Sequence, residues 1–365
     1  MTESYDEQLA KIKNDIQKKY KYELKTVSSV LEKPKSVIHI SPLLDIQLGG
    51  GIPEGSVVLI SGPAKCAKTT CALHIAKGAK ELDGRPVFYF DIEGRYKEMN
   101  LHTVEGFDPE CMHWVHSTED KILSGEDHLN IAWDVIQTIP RAVIIIDSTS
   151  QLCSSEELYG EIKTGIRQSG PMLLSAFTRK LSAVAQVRNC TVVMIQHVIA
   201  NTGRSMKTKD ISGGNKIQYQ ADINLECSHF QDWMDGENLI GKVSHWKVVT
   251  SAMGGPTNSF PMYVRYGVGL DKIKEVVELS QDMGIISQSG AWYKLDCLAE
   301  LIGDDETVTQ YVVDQGLDPD SEKKGDVDKV QKVFNFQGLQ KTRDFLDQNP
   351  YMLRIMEEKM REFMG

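Results

Sequence analysis

Gly62-Pro63-Ala64-Lys65-Cys66-Ala67-Lys68-Thr69-Thr70 is the stretch whose reading decides the fold. It follows the apolar run Val57-Val58-Leu59-Ile60 and leads into Cys71-Ala72-Leu73-His74-Ile75-Ala76, so it joins a buried strand to a helix. A glycine-started loop between strand and helix, with Lys-Thr at the helix start, is the phosphate-cradling arrangement G-x-x-x-x-G-K-[ST]. Backbone N–H groups of such a loop and the helix N-terminus face an anion, and Lys68 adds a mobile positive charge. Thr69 offers a hydroxyl to Mg²⁺. Ala67 stands where the pattern has its second glycine. Its methyl group costs up to about 1–2 kcal/mol if the backbone there is left-handed, and little if it is not. Lys65 is either a solvated charge or a second phosphate contact.

Outward from this loop, apolar strand-like runs alternate with helical segments from Val37 to about Tyr266. That alternation predicts an α/β fold with a mostly parallel sheet flanked by helices. The expected strands are Val57–Ser61, Val87–Asp91, His113–His116, Ala142–Asp147, Thr191–Gln196 and Ile223–Glu226, with Lys242–Val249 and Ser259–Tyr266 as an antiparallel edge pair. The expected helices are Thr69–Glu81, Glu126–Ile139 and Met172–Val187. Residues 270–365 read as a small helical C-terminal domain beyond a boundary near Gly269, and 37–269 as the core. In the charged segment 1–25, Leu9, Ile12, Ile16, Tyr20 and Leu24 recur at helical spacing, giving a narrow apolar stripe. The stripe packs either on its own domain or, as part of an arm spanning 1–36, on a neighbouring subunit. Thr26–Leu31 reads as a short strand and Lys33-Pro34-Lys35 as a linker turn.

Length and composition bound the function. At 365 residues the chain can bury a large core, and 41% hydrophobic with 25% charged residues is ordinary for a globular protein. No apolar run approaches the about 20 residues that span a bilayer, and Met1-Thr2-Glu3-Ser4-Tyr5-Asp6 lacks the pattern of a secretory signal. Seven cysteines, an odd number without a CxxC pair, predict reduced thiols in a cytoplasmic setting and no structural zinc. A net charge of −10 removes any whole-chain basic footprint for nucleic acid. Binding to DNA must therefore use local basic segments, nucleotide-assembled oligomers, or both.

Two acid-tipped strands complete a nucleotide site. Ala142-Val143-Ile144-Ile145-Ile146-Asp147-Ser148 ends where a P-loop enzyme keeps the Asp that organises Mg²⁺. Val87-Phe88-Tyr89-Phe90-Asp91-Ile92-Glu93 ends in a carboxylate able to polarise the water that attacks a γ-phosphate. A third strand, Thr191-Val192-Val193-Met194-Ile195, ends in Gln196-His197, where Gln196 either caps the strand or senses the γ-phosphate. The basic, glycine-containing stretch 197–216 follows, with Arg204, Lys207, Lys209, Gly213, Gly214, Asn215 and Lys216. About fifteen residues without structure inside a compact domain mark a functional or disordered loop. A companion loop, 154–171, carries Lys163 and Arg167. Two such loops can grip single-stranded nucleic acid through its backbone.

Taken together these residues resemble the RecA-type DNA recombinases, and among them most closely the phage UvsX-type branch. The matching residues include Leu43-Leu44-Asp45-Ile46-Gln47-Leu48-Gly49, Gly51-Ile52-Pro53-Glu54-Gly55, Gly62-Pro63, Lys68-Thr69-Thr70 and Asp91-Ile92-Glu93. They continue with Ile146-Asp147-Ser148, Arg179-Lys180-Leu181, Gln196, Gly213-Gly214-Asn215-Lys216 and Gly290-Ala291-Trp292-Tyr293, covering roughly 26–295. The resemblance implies a RecA-like P-loop ATPase core, with ATP and Mg²⁺ as cofactors. It further implies a helical filament of the protein on single-stranded DNA, pairing with homologous duplex DNA and strand exchange. Partners would include a single-strand-binding protein and a mediator or loader, in the host cytoplasm if the gene is a phage's. Glu93, Lys68 and Gln196 become the catalytic residues, Gly62 to Thr70 the nucleotide loop, and Thr69 with Asp147 the Mg²⁺ residues. Ser175 and Arg179 join the two loops as DNA contacts, and Thr26–Val30 becomes a strand added to a neighbour's sheet. Where bacterial members carry two lysines that reach the neighbouring subunit's ATP, this chain has Thr250 and Ala252. That departure, with Ala67, motivates an alternative: a RecA-like recombination mediator with little ATPase activity.

Overall fold

The computed structural model describes residues 4–31, 36–95, 103–161, 169–199, 210–211, 217–218, 220–251, 254 and 259–364. Two compact units make up the chain, Met1–Ser36 and Val37–Gly365. In the first, a helix runs over Tyr5–Tyr20, and Ser4 and Glu7 cap each other's backbone N–H groups. Left-handed Lys21 ends it, and none of its residues is buried. The strand expected at Thr26–Leu31 is instead a helical turn, Val27–Leu31. Thr26 Oγ1 accepts from Ser29 N and Ser29 Oγ donates to Thr26 O, a local cap that overrides the β-preference of the valines.

The second unit is built on one large sheet. Its strands are β3 (Val57–Gly62), β4 (Val87–Asp91), β5 (Met112–Val115), β6 (Val143–Asp147), β7 (Thr191–Ile199), β9 (Ile223–Asp235), β10 (Asn238–Ser251), β11 (Ser259–Arg265) and β12 (Gly269–Leu270). Two short strands, β1 (Val37–Ile38) and β2 (Ile52–Pro53), pair separately, and β8 (Asp210–Ile211) pairs with the end of β7. The order across the sheet is β5-β4-β6-β7-β3-β9-β10-β11-β12. From β5 to β9 all neighbours are parallel, and from β9 to β12 all are antiparallel.

The parallel strands read as unbroken apolar runs because both their faces are covered. Successive side chains take opposite faces. Val58, Ile60, Val143 and Ile145 thus pack with Leu73, Ile75 and Ala76 of the helix Lys68–Asp83. Leu59, Ile144 and Val192 pack with Leu129 and Ile136 of the helix Gly125–Thr138 and with Phe177 and Leu181 of the helix Gly170–Arg188.

The expected architecture is present, with differences at the edges. β9 and β10 extend well past Glu226 and start before Lys242, as a long hairpin turning at Gly236. Their outer halves are largely exposed and mix Phe230, Trp233, Met234 and Leu239 with polar residues, so no unbroken apolar run announced them. The loop expected over 154–171 holds a helical turn, Ser155–Tyr159, capped by Ser154, and Gly170-Pro171 already begins the following helix. The loop expected over 197–216 begins as strand, with Val198 opposite Ile211 and Ile199 opposite Asp210.

The C-terminal region adds a three-stranded antiparallel sheet, β13 (Ser287–Ser289), β14 (Trp292–Lys294) and β15 (Asn335–Gln337), to its helices. Its core gathers Val276, Leu298, Phe334, Phe345 and Met356. Among the described residues, no helix is long and apolar enough to cross a membrane.

Candidate active site

The C-terminal tips of β3, β4, β6 and β7 converge, which is where an open parallel sheet collects its ligands. β3 passes into the loop at Gly62, and the following helix begins at Lys68. Ala67 is left-handed, with φ 70° and ψ 26°, so the methyl penalty of about 1–2 kcal/mol applies. Lys65 is left-handed too, exposed, and lines the cavity. A Cβ placed on Gly62 would lie 2.8 Å from Cys227 Cβ and 2.9 Å from Cys66 Sγ, so glycine is what lets the loop pass this close to β9. Lys68 folds back on its own loop: Nζ donates to Gly62 O at 3.0 Å and Pro63 O at 2.6 Å.

Asp147, at the tip of β6, accepts from Thr69 Oγ1 at 2.7 Å and from the Tyr89 hydroxyl at 2.6 Å. Burial holds its carboxyl above the usual range, opposed by these two donors. Glu93 follows β4, where the backbone N–H of Ile92 donates to Asp147 O at 2.8 Å and steers the turn. Its Oε1 accepts from His197 Nε2 at 2.5 Å and from Ser148 Oγ at 2.7 Å, with the Arg95 guanidinium 3.7 Å from Oε2. The His197 bond, then the Ser148 bond, hold the Glu93 carboxyl down at about 2 against the opposing effect of burial.

These groups border a cavity of about 460 Å³ that also receives Lys65, Asp91, Arg265 and Tyr266. Tyr266 is half exposed, and such a ring suits stacking on a planar base. The donors around Thr69 and Asp147 are a hydroxyl and carboxylates, the hard oxygen set that fits Mg²⁺ beside phosphates. The loop, Lys68 and this oxygen pair therefore fit a nucleotide polyphosphate with its cation.

Of the residues named from sequence, Ala64 to Thr70, Glu93 and Asp147 line this cavity, and Gly62 and Pro63 reach it through the Lys68 ammonium that their carbonyls hold. Gln196 does not: it lies fully buried within β7, opposite Ser61, and the neighbouring His197 lines the cavity. Ser175 and Arg179 lie one turn apart on the helix Gly170–Arg188, Arg179 exposed and donating from Nε to Ser175 O. Lys163, Arg167, Arg204, Lys207, Lys209, Gly213, Gly214, Asn215 and Lys216 lie outside the described residues, as does Ala252. Thr250 is exposed near the end of β10, opposite Asn224. Sequence reasoning missed His197, Tyr89, Ser148 and Tyr266, although the first three adjoin residues it did name.

The sequence profile of the RecA N-terminal domain family matches residues 7–271. The protein RecA of Geobacter metallireducens is 27% identical over 333 residues, 88% of this chain and 83% of that protein. The protein RecA of Rickettsia bellii strain RML369-C is 29% identical over 300 residues, 80% of this chain and 83% of that protein. The protein RecA of Geobacter sulfurreducens is 28% identical over 261 residues, 68% of this chain and 72% of that protein.

Proposed function

This chain belongs to the RecA family, and from that premise we propose that it is an ATP-dependent DNA recombinase of the phage UvsX type. In this reading it forms helical filaments on single-stranded DNA, pairs them with homologous duplex, and exchanges strands. The observation that carries the reading is the meeting of Lys68, Thr69, Asp147 and Glu93 at one cavity. The left-handed alanine at position 67 fits a branch in which the loop's second glycine is relaxed.

ATP would supply the phosphoanhydride, and a Mg²⁺ bound with it would offset the phosphate charge. Lys68 swings from the carbonyls of Gly62 and Pro63 to the β- and γ-oxygens. Thr69 and Asp147, already joined by a hydrogen bond, would hold that cation through oxygen. Glu93 orients the attacking water and accepts its proton. A carboxyl near 2 accepts protons poorly at neutral pH, so the His197 bond is a restraint on hydrolysis. β7 carries His197 straight into the basic stretch 200–216. DNA binding there draws His197 off Glu93, raising its basicity, which couples DNA to turnover.

The DNA contacts in this reading are Lys163, Arg167, Ser175, Arg179, Arg204, Lys207, Lys209 and the run Gly213 to Lys216, acting mostly on phosphates. The segment 1–36 is the arm that links protomers, and residues 270–365 are the C-terminal domain. A single-strand-binding protein and a loader are the expected partners, in the host cytoplasm.

The test is ATP turnover with and without single-stranded DNA, with negative-stain imaging in an ATP analogue. Turnover rises on DNA, filaments form, and Lys68→Ala abolishes both. Unstimulated turnover together with an absence of filaments sinks the reading, and slow turnover without strand pairing returns the mediator alternative.

A further inference from the structure

Two thiols meet beneath the phosphate loop. Cys66 belongs to the loop and lines the cavity, while Cys227 sits on β9 beside the end of β3. Both side chains are buried, 0% and 1% exposed. The Cβ position of Gly62 lies within 2.9 Å of Cys66 Sγ and 2.8 Å of Cys227 Cβ, so both groups crowd one point. Lys68 Nζ approaches Cys66 Sγ at 3.8 Å, and Cys227 Sγ donates to His229 O at 3.5 Å. The roles proposed above use neither sulfur.

The two thiols are also chemically unequal. The neighbouring Cys227, and then the Lys68 charge, draw the Cys66 thiol down against burial. The neighbouring Cys66, and then burial, push Cys227 upward. A cysteine drawn toward its thiolate at the edge of a cavity, with a second thiol crowding the same point, is the arrangement of an attacking and a resolving cysteine. Burial pushes Cys71 up to about 12 and Cys297 up to about 11, which leaves them inert by comparison.

We propose that Cys66 and Cys227 form a peroxide-responsive dithiol whose closure to a disulfide takes the phosphate loop out of service. The Cys66 thiolate attacks hydrogen peroxide, the O–O bond breaks, and S–OH forms as hydroxide leaves and is protonated to water. The Cys227 sulfur then attacks the Cys66 sulfur, the S–O bond breaks, and hydroxide departs with the Cys227 proton as a second water. Two thiols lose two electrons in all, and one peroxide gains them. The new bond ties the loop to β9 beside Gly62 and abolishes the thiolate charge at the sulfur that Lys68 approaches. The covalent half of this proposal stands on the thiol geometry, and the loss of phosphate binding rests on the nucleotide reading.

The test uses the full chain treated with hydrogen peroxide, alkylated, and mapped by mass spectrometry without reduction, with binding of a fluorescent ATP analogue followed in parallel. The expected result is a peptide pair joined through Cys66 and Cys227, with nucleotide binding lost on oxidation and restored by dithiothreitol. Cys227→Ser and Cys227→Ala bind nucleotide and keep that binding in peroxide. Two outcomes overturn the dithiol: Cys66 and Cys227 still separately alkylated after peroxide, or a bridge joining other cysteines. A Cys66–Cys227 bridge with binding intact overturns the gating. Reduced protein that binds no nucleotide but still forms the bridge would refute the nucleotide reading and leave the dithiol standing.

Discussion

Replacing His197 with alanine removes the shortest hydrogen bond to Glu93, and the consequence can be worked out. A hydrogen bond to a charged group contributes about 1.5–3 kcal/mol, and each pH unit corresponds to about 1.4 kcal/mol. The Glu93 carboxyl, held at about 2, is therefore expected to rise by about 1–2 pH units. The Ser148 hydroxyl and the Arg95 charge remain to hold it below where burial alone would leave it. The folded value lies below the ordinary 4.5, so ionised Glu93 stabilises the fold fully above about 4.5. That contribution disappears as pH falls through about 2 in the wild type, and at a higher pH in the variant. The stability gap between the two is thus present at neutral pH and closes in acid. Carboxyl ¹³C titration of glutamate-labelled protein, assigned with Glu93→Gln, reads the midpoint directly, and urea denaturation across pH reads the gap. An unmoved midpoint would falsify the argument. So would a midpoint that climbs as far in Ser148→Ala as in His197→Ala.

Two further outcomes follow from neighbouring contacts. Tyr89→Phe removes a donor to Asp147, whose carboxyl burial already raises, so its proton is held to still higher pH. Cation binding needs the ionised form, so Mg²⁺-dependent nucleotide affinity in Tyr89→Phe falls further behind the wild type at pH 6 than at pH 8, by calorimetry. An equal deficit at both would reject the role given to Tyr89. Ala67→Gly relieves about 1–2 kcal/mol of left-handed strain, and the freer unfolded chain offsets about 0.5–1 kcal/mol of it. Urea denaturation should show a gain of up to about 1.5 kcal/mol, with Ala67→Val moving the other way.

The phosphate loop, Asp147 and Glu93 were legible because each closes an unbroken apolar run, a pattern that sheet burial imposes on sequence. The partnership of Glu93 with His197 was not, since it joins residues 104 apart with no local pattern. Gln196 and His197 illustrate a sharper limit. Adjacent residues on a strand face opposite ways, so an error of one position exchanges a buried side chain for a cavity wall. At Thr26–Leu31, β-branched residues suggested a strand, but one hydroxyl capped a helical turn. The outer hairpin of β9 and β10 escaped notice because a solvated ladder imposes no regular burial, so its apolar and polar residues are mixed without a clean period.

The place of β3 in the sheet has a consequence for biosynthesis. Val57 pairs with Val192 and Val58 with Ile223, so both neighbours of this strand emerge from the ribosome long after it. Until Ile223–Glu226 has been made, the β9-facing edge of β3 presents unpaired N–H and C=O groups, a template for wrong partners. Pairing over such sequence distances is slow, and nascent chains halted before that point are natural clients for chaperones. The nucleotide loop, hung from β3 and braced by β9 at Gly62, is therefore among the last parts of this molecule to mature during translation.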